Sequence, residues 1–467
     1  MLAKLIIVIA TGFFLGGVLH AAALVVLLLI WTQVPAHDGP PVLKLALTAQ
    51  WAQATIGLFY SRVTGERFPV MDARAYEFTV LISLGCVLAL ALGLTMGIRW
   101  AMTKVPEVED RPEELVTFNT VLVVYVASIF ITSVLTELSF VMPAIRQVLA
   151  VLVMGRLAVV ALVMRRLMTP RPQWVRVAGL IAVEVLLGFT GYFSGFKEPL
   201  FLFALFLLET FDTREVKHWI AIVLAAVLLG GTLVMWMGVR TEYRRDFDDQ
   251  LYAESRVARL QRMNALFTDW TDSRNTAGGT GGYDLIDRVW AIYYPALAID
   301  RVPRILPHTN GAIMGAALLH SVTPRFLFPD KAALLNDSDL VRKYSGVWVA
   351  GTEEGTSIAF GYVAESYLDF GAPLLFLPVL VFGAVLGVVF VYLLRGIRHR
   401  ELAIALVVCV YWYNLYLFEK AWAKLIGTGV AMLIYLGGIA FLVDRYVLTE
   451  KGRRAASLPG LPAYPDR

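Results

Sequence analysis

Long apolar runs joined by short polar connections dominate the first half of the chain and return near its end. Runs able to cross a hydrocarbon core of about 30 Å recur at 5–31, 77–98, 116–136, 145–165, 175–193, 218–239, 373–394, 402–418 and 424–443. A shorter run at 199–211 makes a tenth if its helix begins near Ser194. Segment 43–60 carries Gln50, Gln53 and Thr55 and reads as an interfacial or re-entrant helix, with an eleventh span as the alternative. From about 240 to 370 no spanning run occurs. There Phe247, Leu251, Val257, Leu260, Met263, Phe267 and Trp270 recur at three-and-four spacing, which predicts an amphipathic helix prolonging the preceding span. "GGTGG" (278–282) then reads as a hinge, because a phosphate-cradling loop needs a preceding strand and a following Lys-Ser/Thr. Short helices are predicted at 283–294 and 310–321.

The fold class predicted is therefore an all-α polytopic membrane protein of about ten transmembrane helices, eleven if 43–60 spans, with a large helical loop. The organisation expected is an N-terminal bundle over 1–239, a loop domain over 240–371, C-terminal helices over 372–446 and a tail over 447–467. Composition agrees: 58% of residues are hydrophobic and 17% charged, against about a quarter charged in soluble domains. The first run is about twice the length of a signal-peptide core, so it is expected to be a retained span. Cys86 and Cys409 both lie in apolar runs, so neither a disulfide nor a metal site is expected, and nothing points to nucleic acid.

Charge distribution adds an orientation. "RRLMTPRPQWVR" (165–176) and "RGIRHR" (395–400) concentrate arginine in short connections, which the positive-inside rule assigns to the cytoplasm. Threading ten spans then places both termini in the cytoplasm and the 240–370 loop outside. Arg156 and Glu184 fall near the middle of consecutive antiparallel spans, where charges pair or line a polar cavity. A salt bridge is the plain reading; a proton or ion path is the reading a transporter would need. The loop collects Arg240, Arg244, Arg245, Arg288, Arg301, Arg304, Arg325 and Lys331, with His308 and His320. Arginine forks engage two phosphate oxygens at once, so this surplus suggests an anionic lipid head group.

"SVTPRFLFPDKAALLND" (321–337) and "TSIAFGYVAESYLDFG" (356–371) together resemble the late signature of oligosaccharide repeat-unit polymerases, the Wzy-type O-antigen polymerase family. The matching positions are Pro324, Arg325, Pro329, Lys331, Glu365, Tyr367, Phe370 and Gly371. "SGFKEPL" (194–200) resembles that family's Ser-Gly-x-Arg turn, with Lys197 where arginine is usual. The resemblance implies a GT-C-like membrane glycosyltransferase that moves a glycan from polyprenyl pyrophosphate to a sugar hydroxyl of another lipid-linked repeat unit. It implies the bilayer, a chain-length regulator and a flippase as partners, and no cofactor.

Under that resemblance Arg325 and Arg304 are the expected pyrophosphate clamps, supported by Lys197, Arg240 and Arg288, with Lys331 as a further point charge. Preorganised cations would meet the charge that develops on the leaving pyrophosphate. Glu365 is the first candidate for a general base, followed by His308 and His320; Tyr367 joins the glycan contacts. Other GT-C enzymes place an acidic residue in the first outer loop, a place Asp38 in "PAHDGP" would fill, although aspartate is common in such turns for local reasons. An O-antigen ligase-like transferase and a lipid-oligosaccharide flippase remain as the alternatives.

Overall fold

The computed structural model describes residues 2–448 apart from 36–38, 107–115, 143–144, 191–196, 213, 247–254, 278–280, 324–327, 329–333, 352 and 354–355. Among the described residues every regular element is helical. The first part comprises α1 (Leu2–Gly16), α2 (Val18–Gln33), α3 (Val42–Thr64), α4 (Tyr76–Met102) and α5 (Phe118–Val141). It continues with α6 (Arg146–Met154), α7 (Arg156–Met168), α8 (Trp174–Phe189), α9 (Lys197–Thr210) and α10 (Val216–Asp246). The loop segment holds α11 (Arg256–Ala277), α12 (Gly281–Val289), α13 (Tyr293–Arg301), α14 (Ala312–Val322), α15 (Asp337–Ser345) and α16 (Tyr362–Phe370). The chain then forms α17 (Phe376–Gly396), α18 (Arg400–Leu415) and α19 (Trp422–Met432), the last continuing through wider turns to Leu448.

Among the described residues six helices are long and apolar enough to cross a membrane: α4, α5, the α6–α7 pair, α10, α17 and α19 with its continuation. The protein is thus a helical, multi-pass membrane protein. The ten expected spans are not all of this kind. Those at 175–193, 199–211 and 402–418 are α8, α9 and α18, with 16, 14 and 16 residues. At 1.5 Å per residue these rise only about 21–24 Å. The expected first span breaks at Gly17, whose φ of +91° suits glycine, and α1 folds back on α2. A Cβ on Gly12 would lie 2.3 Å from the Ala21 Cα, a contact that one continuous helix does not make.

Segment 43–60 lies within the 23-residue helix α3, antiparallel to α2: His20 Nε2 is 3.3 Å from the Leu58 carbonyl, and Trp31 Nε1 donates to Thr48 at 3.1 Å. Its polar side chains are spent on the end of another helix. Gln50 donates to the Leu415 carbonyl at 2.6 Å and Gln53 to the Tyr416 carbonyl at 2.7 Å, satisfying acceptors that the last turn of α18 leaves open. The other end of α3 meets the loop segment, where Gly57 packs on Trp290. Asp38 itself falls outside the described residues.

Helices α4 and α17 make the closest packing. They run parallel: Gly85 faces Phe376, Gly97 faces Ala384, and Arg395 donates to the Met102 carbonyl at 3.2 Å. Gly93 and Gly97 of one helix oppose Gly383 and Gly387 of the other, the small-xxx-small arrangement that lets backbones approach in lipid. One end of the bundle is tied by charge. Arg166 pairs with Glu401, Arg165 with Glu209 at 3.5 Å, and His399 with Asp444 at 2.6 Å. The loop segment lies at the opposite end.

Within the loop segment the expected helical extension of the 218–239 span is described as far as Asp246. After residues outside the description, α11 returns along α10, because its apolar stripe (Met263, Leu266, Phe267 and Trp270) packs on Trp236, Val239 and Tyr243. The nine-residue α16 is buried along nearly its whole length. Glu365 accepts from the Trp422 backbone N–H at the start of α19 (2.7 Å). Asp369 accepts from the Ile313 and Met314 N–H groups at the start of α14 (3.0 and 2.8 Å).

The glycine seam generates a first test. A Cβ at Gly97 would sit 2.0 Å from the Ala384 carbonyl oxygen, a clash with backbone that no rotamer relieves. Gly97→Leu is expected to destabilise by at least about 1–3 kcal/mol, read as a lowered thermal midpoint in detergent. An unchanged midpoint would refute the seam. Gly179, with open space around it, is the control position.

Candidate anion-binding cavity

A cavity of about 880 Å³ opens between α5, the α6–α7 junction, α8, α9, α10, α11, α12 and α18. That volume lies within the usual range for small-ligand sites. Its walls carry Arg156, Lys197, Arg240, Arg256, Arg259 and Arg288 against three carboxylates, Glu137, Glu184 and Glu198. The cations reach it from different elements. Lys197 opens the first turn of α9, Arg240 comes from the upper part of α10, and Arg288 from the last turn of α12. The return of α11 along α10 delivers Arg256 and Arg259, one turn apart. Arg256 donates to the Ser133 hydroxyl of α5, and Arg259 to the Thr190 carbonyl at 3.4 Å.

At the deep end the Arg156–Glu184 pair forms as its antiparallel setting predicts. Arg156 engages both carboxylate oxygens, one at 2.9 Å, and the Tyr125 hydroxyl donates to Glu184 Oε1 at 2.6 Å. Six cations thus face three carboxylates across the lining, and one of the three, Glu184, is held by Arg156. Burial, and the charges of Arg156 and Arg259, pull the Arg256 guanidinium below its ordinary value. Like charges so gathered in a partly dry cavity favour an anion among them.

The structure thus brings together Lys197, Arg240 and Arg288 of the expected substrate contacts. It adds Arg256 and Arg259, which the sequence marks only as arginines three residues apart on an amphipathic helix. Arg325 and Lys331 lie outside the described residues. The remaining expected residues gather elsewhere, around α16, and none of them lines the cavity. Arg304 pairs with Asp300 on an exposed turn. His308 Nδ1 lies 3.0 Å from the Tyr367 carbonyl and 3.3 Å from that of Leu368, so it donates there and caps the end of α16. Tyr367 donates its hydroxyl to the Val302 carbonyl at 3.2 Å. Glu365 is 2% exposed and holds the N-terminus of α19, with Ser366 accepting from the Trp422 indole at 2.9 Å. In this geometry Glu365 is a helix cap whose carboxyl is bonded to backbone.

The family described as "Domain of unknown function (DUF8712)" matches residues 55–392, and the chain belongs to it. The match spans Lys197, Glu198, Arg240, Arg256, Arg259 and Arg288 as well as α16. No curated protein and no solved structure matches the chain.

Two measurements follow. Removing one partner of a buried ion pair strands the other, so Arg156→Met alone is expected to cost about 3–5 kcal/mol. The double variant with Glu184→Gln should cost less than the sum of the two single changes, as read by thermal unfolding. Burial, helped by Asp337 and Asp369, pushes the Glu365 carboxyl up to about 8, against the Trp422 N–H that lowers it. The folded protein then holds a proton that the unfolded chain releases near its ordinary value of 4.5. Stability from this group is present below about pH 4.5 and is lost as pH rises towards 8. Glu365→Gln, which mimics the neutral form, should flatten that part of the thermal-midpoint curve; an unaltered slope would count against it.

Proposed function

We propose that the protein is a membrane glycosyltransferase that polymerises polyprenyl-pyrophosphate-linked oligosaccharide repeat units. The observation that carries this reading is the convergence of Lys197, Arg240 and Arg288 with Arg156, Arg256 and Arg259 on one cavity. A diphosphate is the ligand chemistry such a group suits, since several cations can share its oxygens and receive the charge released as the glycosidic bond breaks. The resemblance of residues 321–337 and 356–371 to repeat-unit polymerases supports the same reading from the sequence side.

In this proposal the arginine-rich end of the bundle faces the cytoplasm with both termini, following the positive-inside rule. The loop segment and the mouth of the cavity face outward from a bacterial cytoplasmic membrane. Counting the shorter helices, the chain then threads the membrane about ten times in a GT-C-like manner. The acceptor is a sugar hydroxyl on a second lipid-linked unit. A lipid-oligosaccharide flippase is the second reading, favoured by one observation: the Arg156–Glu184 pair lines the same cavity, where a moving charged head group would meet it.

Purified protein in liposomes, supplied with polyprenyl-diphosphate-linked repeat units, is expected to yield a ladder of longer lipid-linked glycans. Arg240→Ala or Arg288→Ala should lower the yield by about 10–100-fold, the loss of a charge-assisted contact worth about 1.5–3 kcal/mol. Movement of lipid between leaflets without elongation would replace the proposal by the flippase. Transfer only to an acceptor that is not polyprenyl-linked would replace it by a ligase.

A further inference from the structure

The cavity wall contains a carboxylate one of whose oxygens has no partner, although the Lys197 charge and its own backbone N–H favour the group. Glu198 stands between Lys197 and Pro199 in the first turn of α9, and all three line the cavity. Its Oε2 is shielded from solvent and has no hydrogen-bond partner among the described residues. The other two carboxylates of the wall differ from it: Glu184 is held by Arg156 and Tyr125, and Glu137 also has an interaction partner. Burying a polar group without a partner costs free energy, so an orphaned buried oxygen calls for an explanation. Here it lies beside a cluster of cations able to hold an anionic donor.

We propose that Glu198 is the catalytic base that takes the proton from the attacking sugar hydroxyl; this rests on the glycosyl-transfer reading above. The hydroxyl proton passes to the Glu198 carboxylate as the hydroxyl oxygen bonds to the anomeric carbon of the donor. The anomeric carbon–oxygen bond to the diphosphate breaks, and its electron pair stays on the diphosphate oxygen, where Arg240, Arg288 and Lys197 receive the charge. The proton then leaves Glu198 for water. Rigid placement suits the role: Pro199 fixes the backbone of the first helical turn, where its missing N–H costs nothing. Tyr413 of α18 and Tyr416 just beyond it line the same wall, and the Tyr416 ring, stacked on Trp412, lies 5.8 Å under the Lys197 ammonium. Glu365, the base that the sequence suggested first, is committed to the Trp422 N–H and does not line the cavity.

The test uses the full chain in liposomes, with two readouts: binding of a sugar-free polyprenyl diphosphate, and elongation of lipid-linked repeat units. Glu198→Gln is expected to bind the diphosphate within about threefold of the unaltered protein and to lose about 10²–10⁴-fold in transfer rate. Glu198→Ala should recover at least about tenfold when sodium formate is added, a rescue that a purely structural role does not give. Transfer by Glu198→Gln within about tenfold of the unaltered protein would overturn the proposal and leave the glycosyltransferase reading standing. Loss of diphosphate binding together with transfer would also overturn it, as would failure of formate to rescue. If Glu198→Gln does not fold, Glu198→Asp decides: undiminished transfer overturns the proposal, and a loss of at least about tenfold with binding kept sustains it. An unaltered protein that binds the diphosphate but elongates nothing would overturn both readings.

Discussion

Two carboxylates on one short helix hold the loop segment and the C-terminal helices in a single arrangement. Glu365 and Asp369 sit four residues apart on α16, are almost completely buried, and each satisfies backbone N–H groups at the start of a different helix. A carboxyl group withdrawn from water must find such partners or destabilise the fold by several kcal/mol. The N-terminal turns of α14 and α19 in turn have orphan N–H groups that need acceptors. Each need is met by the other. Around this exchange Tyr362 donates to Gln50 at 2.7 Å, and His308 and Thr309 close the far end of α16. Through Gln50, the same helix is linked to α3 and to the open end of α18.

This explains why the candidate cavity lies apart from the most conspicuous sequence stretch. The segment around α16 has the charged and aromatic residues that chemistry uses, but spends them on holding helices. The cavity is assembled from residues far apart in the chain, and several of its cations sit at a helix end or a helix junction. Such places have unpaired backbone groups and room for long side chains, so charge collects there without breaking a spanning helix. Arg156 follows Gly155 at the junction of α6 and α7, and Lys197 opens α9.

Much of the fold was legible because hydrophobic length is a strong signal. The six longest apolar helices lie where the runs predicted, and Arg156 with Glu184 formed the pair their spacing implied. The break at Gly17 was hidden within an unbroken apolar run, since nothing in the composition distinguishes one span from two short helices folded together. The polarity of α3 was visible, but its cause was not. Gln50 and Gln53 answer open carbonyls on α18, more than 360 positions away in sequence. The candidate site was legible only in part. Lys197 and Arg240 stood out as cations near predicted span ends and Arg288 as one of the loop arginines, whereas Arg256 and Arg259 depend on the reversal of α11, which no local pattern announces. Glu198 was concealed by its neighbour Lys197, with which it reads as an ordinary charged turn.

The glycine seam between α4 and α17 also has a consequence in time. Its two halves are separated in the chain by more than half of the protein, from Gly97 to Phe376. At about 5–20 residues per second, synthesis of that stretch takes roughly 15–60 s. Throughout that interval α4 rests in the bilayer with its row of small residues facing lipid or a temporary neighbour. The last large helix to emerge before α18 and α19 then docks along it and closes the bundle from both sides of the loop at once.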